Sequence, residues 1–331
     1  GLVTRAVLKL HPRPRSQSTA LLAVDSFAAV EGLFRECGAR LGAGLTAFEV
    51  MWHNHYQLIA QDSGRHQPPL PGHHGWYVLV EASGMDSERD EEHFVALMAD
   101  LMAQGLAADA VVATSLAQSR ALWAIREDIE GLFHAMLPAG VFDVSLPIST
   151  MATYVTNLEA AVAAEWGAAA RLVVFGHLGD GNLHIVVAPR PWSEAARHRV
   201  EELVYRPLEA LGGSISAEHG IGLEKRDWLA VSRNAGERAL MRRLVATILR
   251  RLGTLGHLLS RLLDSLAHVR VPRELGVQLL VVGNGCTDDT EALVARFGAT
   301  SPFPVTFLSE PQPGKSYALN ADIRAGKSEW V

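Results

Sequence analysis

Short apolar or alternating runs recur along the first two hundred residues, at 3–10, 19–24, 45–52, 76–81, 110–114, 141–146, 172–177 and 183–188. Runs of this length, rich in Val, Leu and aromatic residues, predict β-strands. Between them, 26–41, 91–104, 116–136, 149–166, 193–211 and 224–249 carry apolar residues at helical spacing. The segment 61–74 contains Gln67-Pro68-Pro69-Leu70-Pro71-Gly72 and reads as a loop. Strand runs broken by single helices predict an α+β fold, with antiparallel sheets and helices on one face. Past 255 the pattern changes to strand 278–282, helix 288–297 and strand 305–308, the order of a truncated α/β, Rossmann-like unit. No internal repeat is visible.

Length and composition narrow the picture. A chain of 331 residues with 48% hydrophobic content has room for two globular domains. A formal charge of −6 argues against a nucleic-acid partner. Arg242, Arg243, Arg250 and Arg251 cluster, but arginines at this spacing read as a solvated helix face. Cys37 and Cys286 fall in different expected domains and imply no disulfide framework, which suits a reducing, cytoplasmic setting or the periphery of a membrane. No apolar run reaches the length of a transmembrane segment.

The densest chemistry lies in two segments. In Phe175-Gly176-His177-Leu178-Gly179-Asp180-Gly181-Asn182-Leu183-His184, apolar runs flank Asp180-Gly181, a dipeptide favoured in two-residue hairpin turns. With that turn at the centre, His177 faces His184 on one side of the sheet. The second segment, Ala217-Glu218-His219-Gly220, offers a carboxylate beside a third imidazole. Two imidazoles and a carboxylate with an open position suit a catalytic divalent metal, and zinc hydrolysis is served by the same set. Asp180 reads as a turn residue. Asn182 suits the turn and the polarisation of a ligand equally, and Trp123 reads as core.

The wording of these segments is more specific than their spacing. Gly-His-Leu-Gly-Asp-Gly-Asn-Leu-His, then Ala-Glu-His-Gly-Ile-Gly, resembles the carboxy-terminal domain of FAD-linked 2-hydroxy acid dehydrogenases. That group includes D-lactate dehydrogenase, the flavin subunit of glycolate oxidase and D-2-hydroxyglutarate dehydrogenase. Ala47-Phe48-Glu49-Val50-Met51, Leu122-Trp123-Ala124-Ile125-Arg126-Glu127 and Asp143-Val144-Ser145-Leu146-Pro147 are similar in the same order. The resemblance implies that His177, His184 and Glu218 ligate zinc or manganese. It further implies that His219 is the catalytic base and that Arg126 binds the carboxylate of a 2-hydroxy acid. FAD would be held by a preceding domain, and a quinone, a cytochrome or an electron-transfer flavoprotein would take the electrons. Some members carry lysine where Val141 stands, a different polar residue at Glu130, and asparagine within Ile185-Val186-Val187. A substrate smaller or more apolar than a dicarboxylate is therefore expected.

The resemblance also suggests boundaries. Residues 1–15 look like the last strand of an FAD-binding domain, and 16–250 like the carboxy-terminal domain itself. Leu279-Leu280-Val281-Val282-Gly283-Asn284-Gly285-Cys286-Thr287-Asp288-Asp289-Thr290 and Glu310-Pro311-Gln312-Pro313-Gly314-Lys315-Ser316 resemble the start of a family 2 glycosyltransferase, over 255–331. Gly283 stands where that family's donor-binding aspartate is expected. On this reading the chain is a fusion of two fragments, inactive alone as a dehydrogenase. The competing expectations are a glycosyltransferase fragment, a metal-dependent hydrolase and a non-functional fusion product.

Overall fold

The computed structural model describes residues 12–252, 255–268, 278–284, 286 and 289–311. The expected strand 3–10 and the glycosyltransferase-like segment beyond Pro311 lie outside them. Two compact units divide the chain, His11–Gly220 and a second built on Ile221–Val331.

The first unit follows the order β1 (Ser16–Val24), α1 (Phe27–Leu41), β2 (Leu45–Trp52), α2 (His53–Tyr56), β3 (Trp76–Gly84), α3 (Ser87–Ala103) and β4 (Asp109–Val112). It continues with α4 (Leu116–Glu127), α5 (Ile129–Met136), β5 (Gly140–Ser145), α6 (Ile148–Trp166), β6 (Ala170–His177), β7 (Asn182–Pro189) and α7 (Glu194–Ala210). The seven strands form one antiparallel sheet in the order β4-β1-β3-β2-β6-β7-β5.

Helices cover both faces of this sheet, not one as the sequence pattern suggested. On one face, Leu21, Met51, Tyr77, Leu79, Val173, Phe175 and Val186 pack with Leu122 and Ile125 of α4 and Leu132 and Met136 of α5. The alternate strand residues face α1, α3, α6 and α7. Phe48 meets Phe34 of α1 edge-on at 5.0 Å, and Phe142 meets Tyr205 of α7 at 5.3 Å. Residues 20–24 of β1 are buried in succession, as a strand covered on both sides requires.

Side-chain caps set several helix boundaries. Ser26, Asp86, Ser115 and Ser193 each accept a first-turn backbone N–H. The expected helix 116–136 is two helices, because Asp128 ends α4 and caps α5 by accepting from the Gly131 N–H at 2.8 Å.

In the second unit the expected helix 224–249 is also interrupted. A short α8 (Leu229–Ser232) is followed by α9 (Ala235–Leu252), whose start is marked by the reciprocal bonds Asn234 N–H to Glu237 and Glu237 N–H to Asn234. That is a capping box. Then come α10 (Leu255–Leu266), β8 (Leu279–Asn284), α11 (Thr290–Gly298) and β9 (Val305–Glu310). β8 and β9 pair in parallel. Leu263, Val294 and Phe297 form the buried centre of this unit.

Candidate active site

The site grows from the β6–β7 hairpin. Pairing runs from Ala170↔Pro189 to Phe175↔His184, then Leu178–Asp180 form a 3-10 turn closed by Gly181 at φ +65°. His184 therefore stands opposite Phe175 rather than His177, a shift of two from the two-residue turn expected. Burial of Leu178 accounts for the longer loop, because it draws the turn into the core. The Leu146 N–H also anchors the loop by donating to the Gly181 carbonyl at 3.0 Å. A shift of two conserves the face. His177 and His184 lie on one side as diagonal neighbours, ring centroids 5.3 Å apart. Gly176 permits the crossing, since a Cβ there would collide with the Asn182 carbonyl oxygen.

Asp143 on β5, fully buried, brings in the second segment. It is the cross-strand partner of His184 and accepts the backbone N–H groups of Glu218 and His219 at 3.1 and 2.8 Å. The Ser216 hydroxyl also donates to it, at 3.2 Å. These bonds hold Glu218 and His219 beside the hairpin. The His177 Nε2 lies 3.6 Å from Glu218 Oε1, and the rings of His184 and His219 stack at 5.8 Å. Asn182 donates from Nδ2 to Glu218 Oε1 at 2.7 Å, while its Oδ1 is buried without a partner. Ligand atoms of His177, His184 and Glu218 all lie within 4.8 Å of one another.

A buried ion pair closes the far side. Glu49 of β2 accepts from His177 Nδ1 at 2.8 Å and from Arg126 Nε at 3.0 Å. Arg126 Nη2 is 2.7 Å from the same Glu49 oxygen but off the hydrogen-bond direction, so this buried nitrogen makes an ion-pair contact and has no hydrogen-bond acceptor. The guanidinium sits 4.6 Å from the centre of the Phe175 ring. Arg126 thus pairs with Glu49, not with Glu127 or Glu130 on its own stretch of chain.

The imidazoles differ electrostatically. The hydrogen bond to Glu49 raises the pKa of His177 above its ordinary value. Burial, then the nearby Arg126 and His177, lower that of His184 to about 4. His184 is therefore neutral near pH 7, the form in which imidazole binds a metal.

Asp180 is exposed at the turn. Trp123 packs against the core and donates its indole N–H to Glu81 at 2.7 Å. Glu49 and Asp143 were given no role from sequence. Each is the single charged residue of a mostly apolar strand, and that exception to the strand pattern is the signal that marks them.

The comparisons with known proteins follow this geometry. The family described as "FAD linked oxidases, C-terminal domain" matches residues 13–248. A D-2-hydroxyglutarate dehydrogenase of Xanthomonas citri pv. viticola is 36% identical over 247 residues, 73% of this chain and 51% of the relative. The mitochondrial D-2-hydroxyglutarate dehydrogenase of Rattus norvegicus is 32% identical, over 75% of this chain and 45% of its own. A mitochondrial protein of Schizosaccharomyces pombe carrying the name of a D-lactate dehydrogenase is 34% identical, over 74% of this chain and 48% of its own. The chain spans about half the length of these relatives, and the eukaryotic ones are named as mitochondrial, not cytoplasmic. Among solved structures, p-cresol methylhydroxylase with substrate bound shares the fold at TM-score 0.51 and 12% identity, over 73% of this chain and 51% of that one. Among the described residues no helix is long and apolar enough to cross a membrane. The chain belongs to the family of FAD linked oxidases, through their C-terminal domain.

Proposed function

We propose that this chain is the substrate- and metal-binding half of an FAD-dependent dehydrogenase that oxidises a D-2-hydroxy acid to the 2-oxo acid. The carrying observation is the convergence of His177, His184 and Glu218, with ligand atoms within 4.8 Å, beside the His219 imidazole. Half-buried, neutral His184, half-buried His177 and exposed Glu218 fit a divalent metal such as zinc or manganese. A metal held there supplies Lewis acidity that lowers the pKa of a bound hydroxyl, and FAD supplies the hydride acceptor. His219 takes the hydroxyl proton. Arg126 holds the substrate carboxylate through its Nη2, which lacks a hydrogen-bond acceptor of its own. Glu218 and His219 are kept in place by the N–H bonds to Asp143, so proton transfer occurs from a fixed geometry.

Within this reading the substrate is a monocarboxylate of the D-lactate kind rather than a dicarboxylate. Val141 supports that choice. It lies two residues from Asp143 on the same strand face and packs its aliphatic side chain against the core. A quinone, a cytochrome or an electron-transfer flavoprotein reoxidises the flavin. For the second unit, the parallel β8–α11–β9 arrangement is one that many α/β proteins share, and likeness to the start of a family 2 glycosyltransferase rests on the sequence alone. Gly283 lies beneath the Phe307 ring, where a side chain would collide, and it brings no carboxylate for a sugar-nucleotide donor. We assign that unit no transferase activity.

Elemental analysis tests the reading directly. About one transition metal per chain is expected, lost in His177→Ala and in His184→Ala. Unchanged metal content in both variants would remove the proposed site. Activity is tested in a protein that also carries a flavin-binding domain, with D-lactate preferred to D-2-hydroxyglutarate.

A further inference from the structure

Glu49 is the unexpected charge in this unit. It sits on β2 between Phe48 and Val50, is 6% exposed, and is the direct cross-strand partner of His177. Burying a carboxylate is costly unless both oxygens are satisfied. Here both are, by different parts of the site: Oε1 by His177 Nδ1 at 2.8 Å and Oε2 by Arg126 at 3.0 and 2.7 Å.

The donor inventory makes this arrangement specific. An ionised carboxylate only accepts, and a guanidinium only donates. His177 must therefore carry its proton on Nδ1 to complete the bond to Glu49. The Nε2 lone pair is then directed to the side where Glu218 lies, 3.6 Å away. One carboxylate fixes the tautomer of a histidine and the pose of an arginine at the same time. A glutamine could meet both partners only if His177 moved its proton to Nε2, because the amide NH2 group confronts a donor while Nδ1 keeps its proton.

We propose that Glu49 is a positioning residue joining the two halves of the site, setting His177 for metal ligation and Arg126 for carboxylate binding as one unit. This rests on the metal-site reading above. The carboxylate touches neither metal nor substrate and acts through its two neighbours. A buried ion pair that served only to stabilise the sheet would affect folding without altering which nitrogen of His177 is protonated.

The test uses the full chain, stripped of metal and titrated with Zn2+ by calorimetry, with long-range 1H–15N spectra of the imidazoles and exchange of the Arg126 Nε–H. Glu49→Gln is expected to weaken zinc binding about 10–100-fold. It should also convert His177 from the Nδ1–H form to a mixture of tautomers and speed Arg126 Nε–H exchange. Glu49→Asp, which retains the charge, should recover part of each effect and serves alone if Glu49→Gln does not fold. Glu81→Gln is the control. Glu81 is an equally buried carboxylate bonded to Gln17, Thr19 and Trp123, and its loss should leave zinc affinity unchanged. Wild-type affinity and an intact Nδ1–H tautomer in the Glu49 variants would overturn the proposal. If His177→Ala also binds zinc as wild type does, the metal-site reading fails instead.

Discussion

Mild acid should destabilise the metal-free protein well before its carboxylates protonate. His55, in α2, is buried against Phe175 with ring centroids 4.8 Å apart, and its Nδ1 has no partner. Burial, then the Arg126 charge, push its pKa down to about 3. His184 is lowered to about 4 by the same leading cause. Both folded values lie below the ordinary 6.5, so between there and about pH 5 the unfolded chain takes up protons that the native chain refuses. Stability is fully present above that window and falls as the pH drops through it. His177 shifts the other way: its raised pKa makes the native chain the better proton acceptor near the ordinary 6.5, so it offsets part of the slope in the upper part of this range and adds none once both states are protonated, toward about pH 5. Each refused proton costs about 1.4 kcal/mol per pH unit, so His55 alone removes about 2 kcal/mol by about pH 5, and His184 up to as much again. That is a large share of the 5–15 kcal/mol that is typical of folded proteins. Urea unfolding in EDTA, followed by tryptophan fluorescence from about pH 7 to about pH 5, measures the slope. His55→Leu should reduce it by close to one proton at little cost near neutrality, because the leucine leaves no orphaned nitrogen. A wild-type midpoint indifferent to pH in this window, or an unchanged slope in His55→Leu, would refute the reasoning.

Other outcomes follow from the same geometry. Metal affinity should drop about tenfold per pH unit below the raised pKa of His177, because the ion must displace a proton there; pH-dependent calorimetry reads this. Arg126→Met should lower stability by about 3–5 kcal/mol by stranding the Glu49 charge, seen in the urea midpoint. Gly181→Ala should cost on the order of 1 kcal/mol for its φ of +65°, with a further term because the Leu146 carbonyl lies 3.1 Å from the new Cβ; thermal melts report it.

Strand positions were legible because a strand buried on both faces reads as a nearly continuous apolar run, and 19–24, 76–81 and 183–188 are such runs. The same feature shows why helices on one face was the wrong expectation: a half-solvated sheet would have alternated. The breaks at Asp128 and Asn234 were written in the chain as capping residues, but the apolar periodicity runs through both and hides them. At the site, the histidine pair and the Glu-His dipeptide were visible as words. Their supports, Glu49 and Asp143, come from strands distant in sequence. Only the sheet order, with β2 beside β6 and β7 beside β5, brings them into contact. Spacing along the chain carries no trace of that adjacency.

The turn between β6 and β7 differs by two residues from the one its central dipeptide suggests, yet both imidazoles remain on one side. Loop length in this hairpin therefore behaves as an even-or-odd quantity. Gaining or losing a pair of residues between His177 and His184 moves the crossing point but returns each side chain to its own layer. Gaining or losing one turns His184 toward the face covered by α1, α3, α6 and α7 and sends Leu183 or Ile185 to the face that carries the site. Variation in related chains, or in a library of designed loops, should accordingly arrive in twos wherever metal binding is retained.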